Sequence, residues 1–191
     1  MDVMIRDLYH LWPSALSAKQ ITAIRDLAMQ QPAQHARIFA PDETRDQIRR
    51  SSIRWLDADW VRDLLWDYVD RANQGDTIPA SDGFNIAVDS AAEIQFTEYH
   101  ASTQGHYDWH QDVNWNAQGD TDRKLSVTIQ LSPADAYEGG DFEFDELTTN
   151  ADFRALGTVL VFPSYLRHRV TPVTAGTRQS LVAWFTGPRW R

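Results

Sequence analysis

Two residues near the middle of the chain could do chemistry together, His110 and Asp112 in Trp109-His-Gln-Asp. Alternate side chains of a β-strand leave from one face, so this imidazole and this carboxylate would point the same way. A second histidine brought opposite them would complete a set of two imidazoles and one carboxylate. Such a set fills three adjacent corners of an octahedral metal and leaves three open, the arrangement of non-haem iron(II) sites that work on oxygen. His168, in Phe162-Pro-Ser-Tyr-Leu-Arg-His-Arg-Val, is the candidate third ligand. The chain has no cysteine, so any metal it holds must take His, Asp or Glu.

Spacing alone does not single out that pair. His106-Tyr107-Asp108 repeats the motif, and on a straight strand His106, Asp108, His110 and Asp112 would all share one face. A stretch downstream adds weight to His168. Arg178 presents a rigid fork suited to a carboxylate, and Ser180, on the same strand face, can add a hydrogen bond. Continuing that parity puts Val182 and Trp184 on the same wall, where a flat indole suits an apolar ring. In Lys124–Leu131, Leu125, Val127, Ile129 and Leu131 alternate with Ser126, Thr128 and Gln130. This is a strand with a core face and a polar face, and Gln130 on the polar face is a further candidate for a polar co-substrate.

These residues need elements to position them. Ser17 opens a helix with Gln20 as its capping-box partner and Ile21, Ile24, Leu27 and Ala28 at helical spacing. Gln30–Arg50, with Pro32 and Pro41, reads as a polar loop or arm. A second helix follows Asp57, with Trp60, Val61, Leu64, Leu65, Tyr68 and Val69 on one face and Gly75 as its stop. From residue 84 the pattern turns to short strands: Phe84–Val88, Ala92–His100, His106–Gln111, Lys124–Leu131, Asp141–Phe144, Gly157–Phe162, Leu166–Val170 and Arg178–Thr186. Gly139-Gly140 marks the turn into the strand that carries Phe142 and Phe144. The expected architecture is α+β: a jelly-roll, cupin-like core over 84–187, backed by helices within 1–80, in a single domain over 1–191.

A net charge of −9 with no compensating basic face argues against a general nucleic-acid binder. No signal-like or membrane-spanning segment stands out, which places the expected protein in the cytoplasm, and nothing bears on its oligomeric state.

Taken together, these residues resemble the Fe(II)/2-oxoglutarate-dependent dioxygenases, in their prolyl-4-hydroxylase-like branch, and most of all the bacterial and viral PKHD-type hydroxylases. The branch pattern falls on Tyr99, Tyr107, His110, Asp112, His168 and Arg178. Leu131-Ser-Pro-Ala-Asp-Ala-Tyr-Glu-Gly-Gly-Asp, Phe162-Pro-Ser and His168-Arg-Val-Thr-Pro-Val-Thr-Ala-Gly-Thr-Arg178 carry the same likeness. The resemblance covers residues 94–187 and implies a double-stranded β-helix. It selects His110, Asp112 and His168 as ligands of Fe(II), leaving His106 and Asp108 as neighbours. It implies 2-oxoglutarate and O2 as co-substrates, with ascorbate a candidate reductant. Arg178 and Ser180 would then hold the distal carboxylate of 2-oxoglutarate, and Tyr99 would line the iron-side pocket and orient co-substrate or substrate. Two departures stand out: Glu98, where many relatives carry arginine, and Gln130, where some place a tyrosine on that carboxylate.

The implied reaction is prolyl 4-hydroxylation of a protein or peptide. The loop 113–123, with Gly119 as hinge and Trp115 as an exposed aromatic, would close over substrate, and the arm 30–50 would form a second wall of the groove. A free amino acid or other small molecule is the rival substrate, with an ion pair drawn from Asp108, Arg123 or the arm. A non-catalytic cupin-like binding barrel is the third reading.

Overall fold

The computed structural model describes residues 8–36, 46–75, 82–145, 147 and 151–191. Two antiparallel sheets dominate it, and they take their order from long-range pairing rather than from chain order. The strands are β1 (His10–Trp12), β2 (Gln34–His35), β3 (Arg49–Arg50), β4 (Ser52–Leu56), β5 (Ser90–His100), β6 (His106–His110), β7 (Thr121–Gln130), β8 (Tyr137–Gly139), β9 (Phe142–Phe144), β10 (Val159–Pro163), β11 (His168–Val170) and β12 (Val173–Pro188). The larger sheet runs β1-β10-β7-β12-β5-β4-β2, with β8 paired to the start of β12. The smaller runs β3-β6-β11-β9. Together they make the expected jelly roll, a double-stranded β-helix.

The helices cover the outer face of the larger sheet. α1 (Ala18–Met29) begins where predicted: Gln20 N–H donates to Ser17 Oγ at 3.3 Å and Ser17 N–H to Gln20 Oε1 at 2.9 Å. Each bond satisfies a donor that the helix start would otherwise leave unpaired. α2 (Asp59–Gln74) starts behind Ala58 without a side-chain cap; Asp57, expected at its start, is bound instead to Arg62. Gly75 ends α2 at φ 93°, a backbone setting that glycine adopts at little cost. Ile21, Ile24, Val61, Leu65 and Val69 pack against Phe96, Leu125, Val127, Ile129, Leu181 and Phe185, all buried. The opposite faces of β5, β7 and β12 are thereby turned toward the smaller sheet. Among the described residues, no helix is long and apolar enough to cross a membrane.

Three expectations about elements need correction. Phe84–Val88 is not a strand. Its backbone bonds back to the end of α2, Phe84 N–H to Ala72 O and Asn85 N–H to Asn73 O, while Asn73 brackets Ile86 through both its amide atoms. The arm 30–50 carries two short strands, β2 against β4 and β3 against β6, and its residues 37–45 lie outside the described residues. Strands β1, β4 and β8 had no clear signature. β4 reads Ser-Ile-Arg-Trp-Leu: the polar/apolar alternation is short and breaks at Leu56, and Trp55 is exposed.

Candidate active site

The site lies between the two sheets, and a kink in β6 decides which residues face it. His168 pairs with His110, and Val170 pairs with Tyr107, so Asp108 and Trp109 stand opposite the single residue Arg169. This is a β-bulge, and it reverses the alternation of side chains along the strand. Tyr107 and His110, three apart, therefore both turn inward, and their rings stack with centroids 3.4 Å apart. The condition under which all four residues would share a face, a straight strand, is therefore not met. Asp108 is exposed and accepts from Trp109 N–H at 2.7 Å. His106 is engaged by main-chain carbonyls of Gln104 and Gln47. The second His-x-Asp copy therefore takes no part in the pocket.

His110, Asp112 and His168 converge so that one atom from each lies within 4.8 Å of the others. His110 Nε2 is 3.7 Å from Asp112 Oδ1, and His168 Nε2 is 3.7 Å from Asp112 Oδ2. Each ring is oriented from behind. His110 Nδ1 lies 2.8 Å from Asp108 O and His168 Nδ1 2.9 Å from Leu166 O. A carbonyl can only accept, so each Nδ1 carries the proton and each Nε2 presents a lone pair. Burial, then the proximity of His168, pushes the pKa of His110 down to about 3, so this ring keeps its lone pair at neutral pH. Burial alone would raise the carboxyl of Asp112. The facing imidazoles of His168 and His110, together with Arg123 and the Ser126 hydroxyl, outweigh it and hold the group below its ordinary value. Ser126 donates to Asp112 Oδ2 at 2.7 Å, and Asp112 N–H donates to Ser164 O at 3.0 Å. Two neutral nitrogens and one carboxylate oxygen, each fixed from behind, fit a divalent first-row metal with bonds of about 2.1 Å.

Beside this cluster is an inner chamber lined by both sheets. Arg178, Ser180, Val182 and Trp184 of β12 enter it with the expected parity, while Leu181 and Phe185 point to the helices. Arg178 is buried, donates to Ser180 Oγ at 3.2 Å and sits 5.6 Å from the centre of the Tyr99 ring. Among the described residues no carboxylate lies within 4.0 Å of it. A buried guanidinium without an anion is costly, and a ligand carboxylate would relieve that. Tyr99 thus stands at the Arg178 end of the chamber and not in the outer cleft. Gln130 lies outside the chamber wall. Its amide donates to Ser132 O and to the Tyr137 hydroxyl, and its carbonyl oxygen is buried without a partner among the described residues, in a small space behind Arg178. Glu98 points to the other face of β5, paired with Arg54 and with Gln179.

The chamber opens into a larger cleft of about 630 Å³. Gln34 and Arg49 from the arm border it, as do Gln111, Asn114 and Ala117 from the loop before β7. Residues 121–123 of that loop belong to β7 itself. Trp115 is exposed and tied to Gln111, while Trp184 separates chamber from cleft with the Arg123 guanidinium 3.8 Å above its ring. Arg49 and Gln95 were not among the candidate site residues, and Tyr107 was named only as part of the branch pattern, without a role. Arg49 sits in a polar arm with no pattern to mark it. Gln95 shares strand parity with Thr97 and Tyr99, a signal that was available.

Residues 94–186 match the family model described as the 2OG-Fe(II) oxygenase superfamily. A PKHD-type hydroxylase of Synechococcus sp. (strain CC9311) is 38% identical over 82 residues, 42% of this chain and 36% of that protein. One of Hyphomonas neptunium is 39% identical over 61 residues, 31% of this chain and 27% of that protein. The chain thus spans about a third of the length of the curated relatives it matches. A prolyl-4-hydroxylase of Pseudomonas putida has the same fold, with TM-score 0.67 and 21% identity over 95% of this chain and 93% of that one. So has a prolyl hydroxylase of Trichoplax adhaerens in complex with a hypoxia inducible factor peptide fragment, with TM-score 0.71 and 16% identity over 94% and 83%.

Proposed function

We propose that the chain is a member of the 2OG-Fe(II) oxygenase superfamily, whose family model matches residues 94–186, and that it is a 2-oxoglutarate-dependent hydroxylase acting on a prolyl residue of a protein or peptide. The observation that carries this reading is the pairing of two features in one chamber: three convergent His/Asp donors and a buried arginine that has no carboxylate partner among the described residues. His110, Asp112 and His168 would hold Fe(II). When bound, the ferrous ion with O2 and 2-oxoglutarate supplies the oxidant for C–H hydroxylation, and the co-substrate leaves as succinate and CO2.

This chain's own residues do the positioning. Arg178 grips the distal carboxylate of 2-oxoglutarate with its fork, and Ser180, already at 3.2 Å, completes the cradle. Tyr99 closes that end of the chamber beside Arg178. Phe142, Phe162 and Val170 keep the chamber apolar, so water is excluded and each charge pair is strengthened. Ser126 and Ser164 lock Asp112, and Tyr107 stacked on His110 fixes that ring; burial raises the Tyr107 phenol to about 12, so it stays neutral. Trp184 offers a wall for the target ring where chamber meets cleft.

The peptide reading draws support from the cleft, which is large, open and bordered by arm and loop, as an extended chain requires. The test is succinate formation from 2-oxoglutarate with Fe(II) and ascorbate, across prolyl peptides, free L-proline and no substrate. Mass spectrometry should show one added oxygen on a prolyl peptide, with free proline unmodified. Turnover of a free amino acid alone would reverse the order of the two substrates, and no substrate-dependent succinate with any candidate would remove the reading.

A further inference from the structure

Arg49 is a second buried guanidinium at this site, and the co-substrate already has one in Arg178. It is 7% exposed and stands where the inner chamber opens into the cleft, sharing both walls with Tyr107, His110 and Trp184. Its position is fixed by neutral groups: Nε donates to Ser51 Oγ at 2.8 Å, and one terminal nitrogen donates to Gln95 Oε1 at 2.7 Å. Thr97 donates to the same Gln95 oxygen at 3.1 Å, which pins the amide in turn. The guanidinium lies 4.5 Å above the Tyr107 ring, which stacks on His110. Among the described residues no carboxylate lies within 4.0 Å of Arg49. Arg123 on the same cleft is different, since Glu93 neutralises it at 2.7 Å.

Charge balance makes the surplus plain. On the hydroxylase reading, on which this inference rests, a divalent ion and Arg178 offset Asp112 and a dianionic co-substrate. Among the described residues Arg49 is left over, desolvated and pre-oriented. Holding such a cation in place is unfavourable unless an anion arrives to pair with it. The co-substrate end is at Arg178, so the anion that reaches Arg49 comes in from the cleft, with the substrate. We propose that Arg49 is a specificity residue that binds a carboxylate of the substrate next to the hydroxylated residue. The carboxylate can be an Asp or Glu side chain beside the target, or the α-carboxylate of a terminal residue or free amino acid.

The experiment compares Arg49→Met and Arg49→Lys with the unmodified protein on four probes. These are peptides with Asp beside proline, the matching Asn peptides, peptides ending in a free-acid proline, and free L-proline. Succinate formation gives KM and kcat, and calorimetry on the metal-free protein gives binding without turnover. Loss of one partner of a desolvated charge pair predicts a KM for the carboxylate-bearing probe at least about tenfold higher in Arg49→Met. Arg49→Lys should recover part of it, and the Asn peptides should be poor substrates throughout. Preference for the Asp peptide or for a free-acid probe identifies the source of the carboxylate. Arg50→Met, on the neighbouring residue that reaches Thr103 O, should keep the Asp/Asn ratio. Equal use of Asp and Asn peptides together with no preference for a free-acid probe, or an Arg49→Met effect confined to the 2-oxoglutarate requirement, overturns the proposal. If no probe is turned over, the hydroxylase reading is what fails. The binding arm then decides alone: no loss of carboxylate-selective binding in Arg49→Met overturns the role of Arg49.

Discussion

The two sheets contribute to the site in different ways. The larger one offers long, regular strands: β12 runs for 16 residues and β7 for 10, and their inward faces place Arg178, Ser180, Thr128 and Ser126 by simple alternation. The smaller one offers β6, five residues with a bulge, and β11, three residues, yet it supplies both histidines. A long strand paired on both sides fixes side-chain direction over many residues, which suits a cradle for an extended anion. Metal ligands need only a few atoms brought to one point, and a local kink achieves that by turning Tyr107 and His110 the same way. Asp112 lies between the two regimes. It follows β6, but its carboxylate is held by Ser126 of β7 and its N–H by Ser164 after β10.

The largest effect should come from cutting that junction. Asp112→Ala leaves two neutral imidazoles, too few fixed ligands to retain a labile divalent ion. Turnover should fall to background, and iron retained after gel filtration should fall with it, while circular dichroism stays that of the folded protein. Full activity at limiting iron would mean that the smaller sheet is not where the metal sits.

A smaller, more selective effect is expected from the larger sheet. Arg178→Met leaves the distal carboxylate buried without its partner, at a cost on the order of 2–5 kcal/mol. The 2-oxoglutarate requirement should rise at least about tenfold in initial-rate assays, with iron affinity unchanged. A loss of iron binding in this variant would blur the division of labour between the sheets.

How far the sequence could be read follows the same division. The capping box at Ser17, the alternation in β7 and the run Arg178, Ser180, Val182, Trp184 are local patterns, and local patterns survive folding. The family likeness over 94–187 singled out His110, Asp112 and His168 where spacing alone could not, and the fold places those three together. What spacing could not supply depends on distant partners. The bulge exists because β11 pairs with β6 in two registers. Phe84–Val88 looks like a strand but finds its hydrogen-bond partners at the end of α2. Arg49 gains meaning only when β3 pairs with β6 and brings it over Tyr107.

The smallest effect tests the bulge itself. On a straight β6, Asp108 would face the pocket with His110, and removing it would disturb any metal held there. On the kinked strand it is exposed, and its side chain does no more than accept from the adjacent Trp109 N–H. The bond that orients His110 comes from the main-chain oxygen of Asp108, which no side-chain change removes. Asp108→Ala should therefore cost about 0.5–1 kcal/mol of stability at most, the worth of one exposed hydrogen bond. Iron affinity and turnover should stay within about twofold, since exposed substitutions away from a site rarely do more. A thermal melt and an iron titration on the same preparation measure both quantities. A tenfold loss of iron affinity with an unchanged melt would put Asp108 back on the pocket face, and the bulge that separates the two His-x-Asp copies would have to be abandoned.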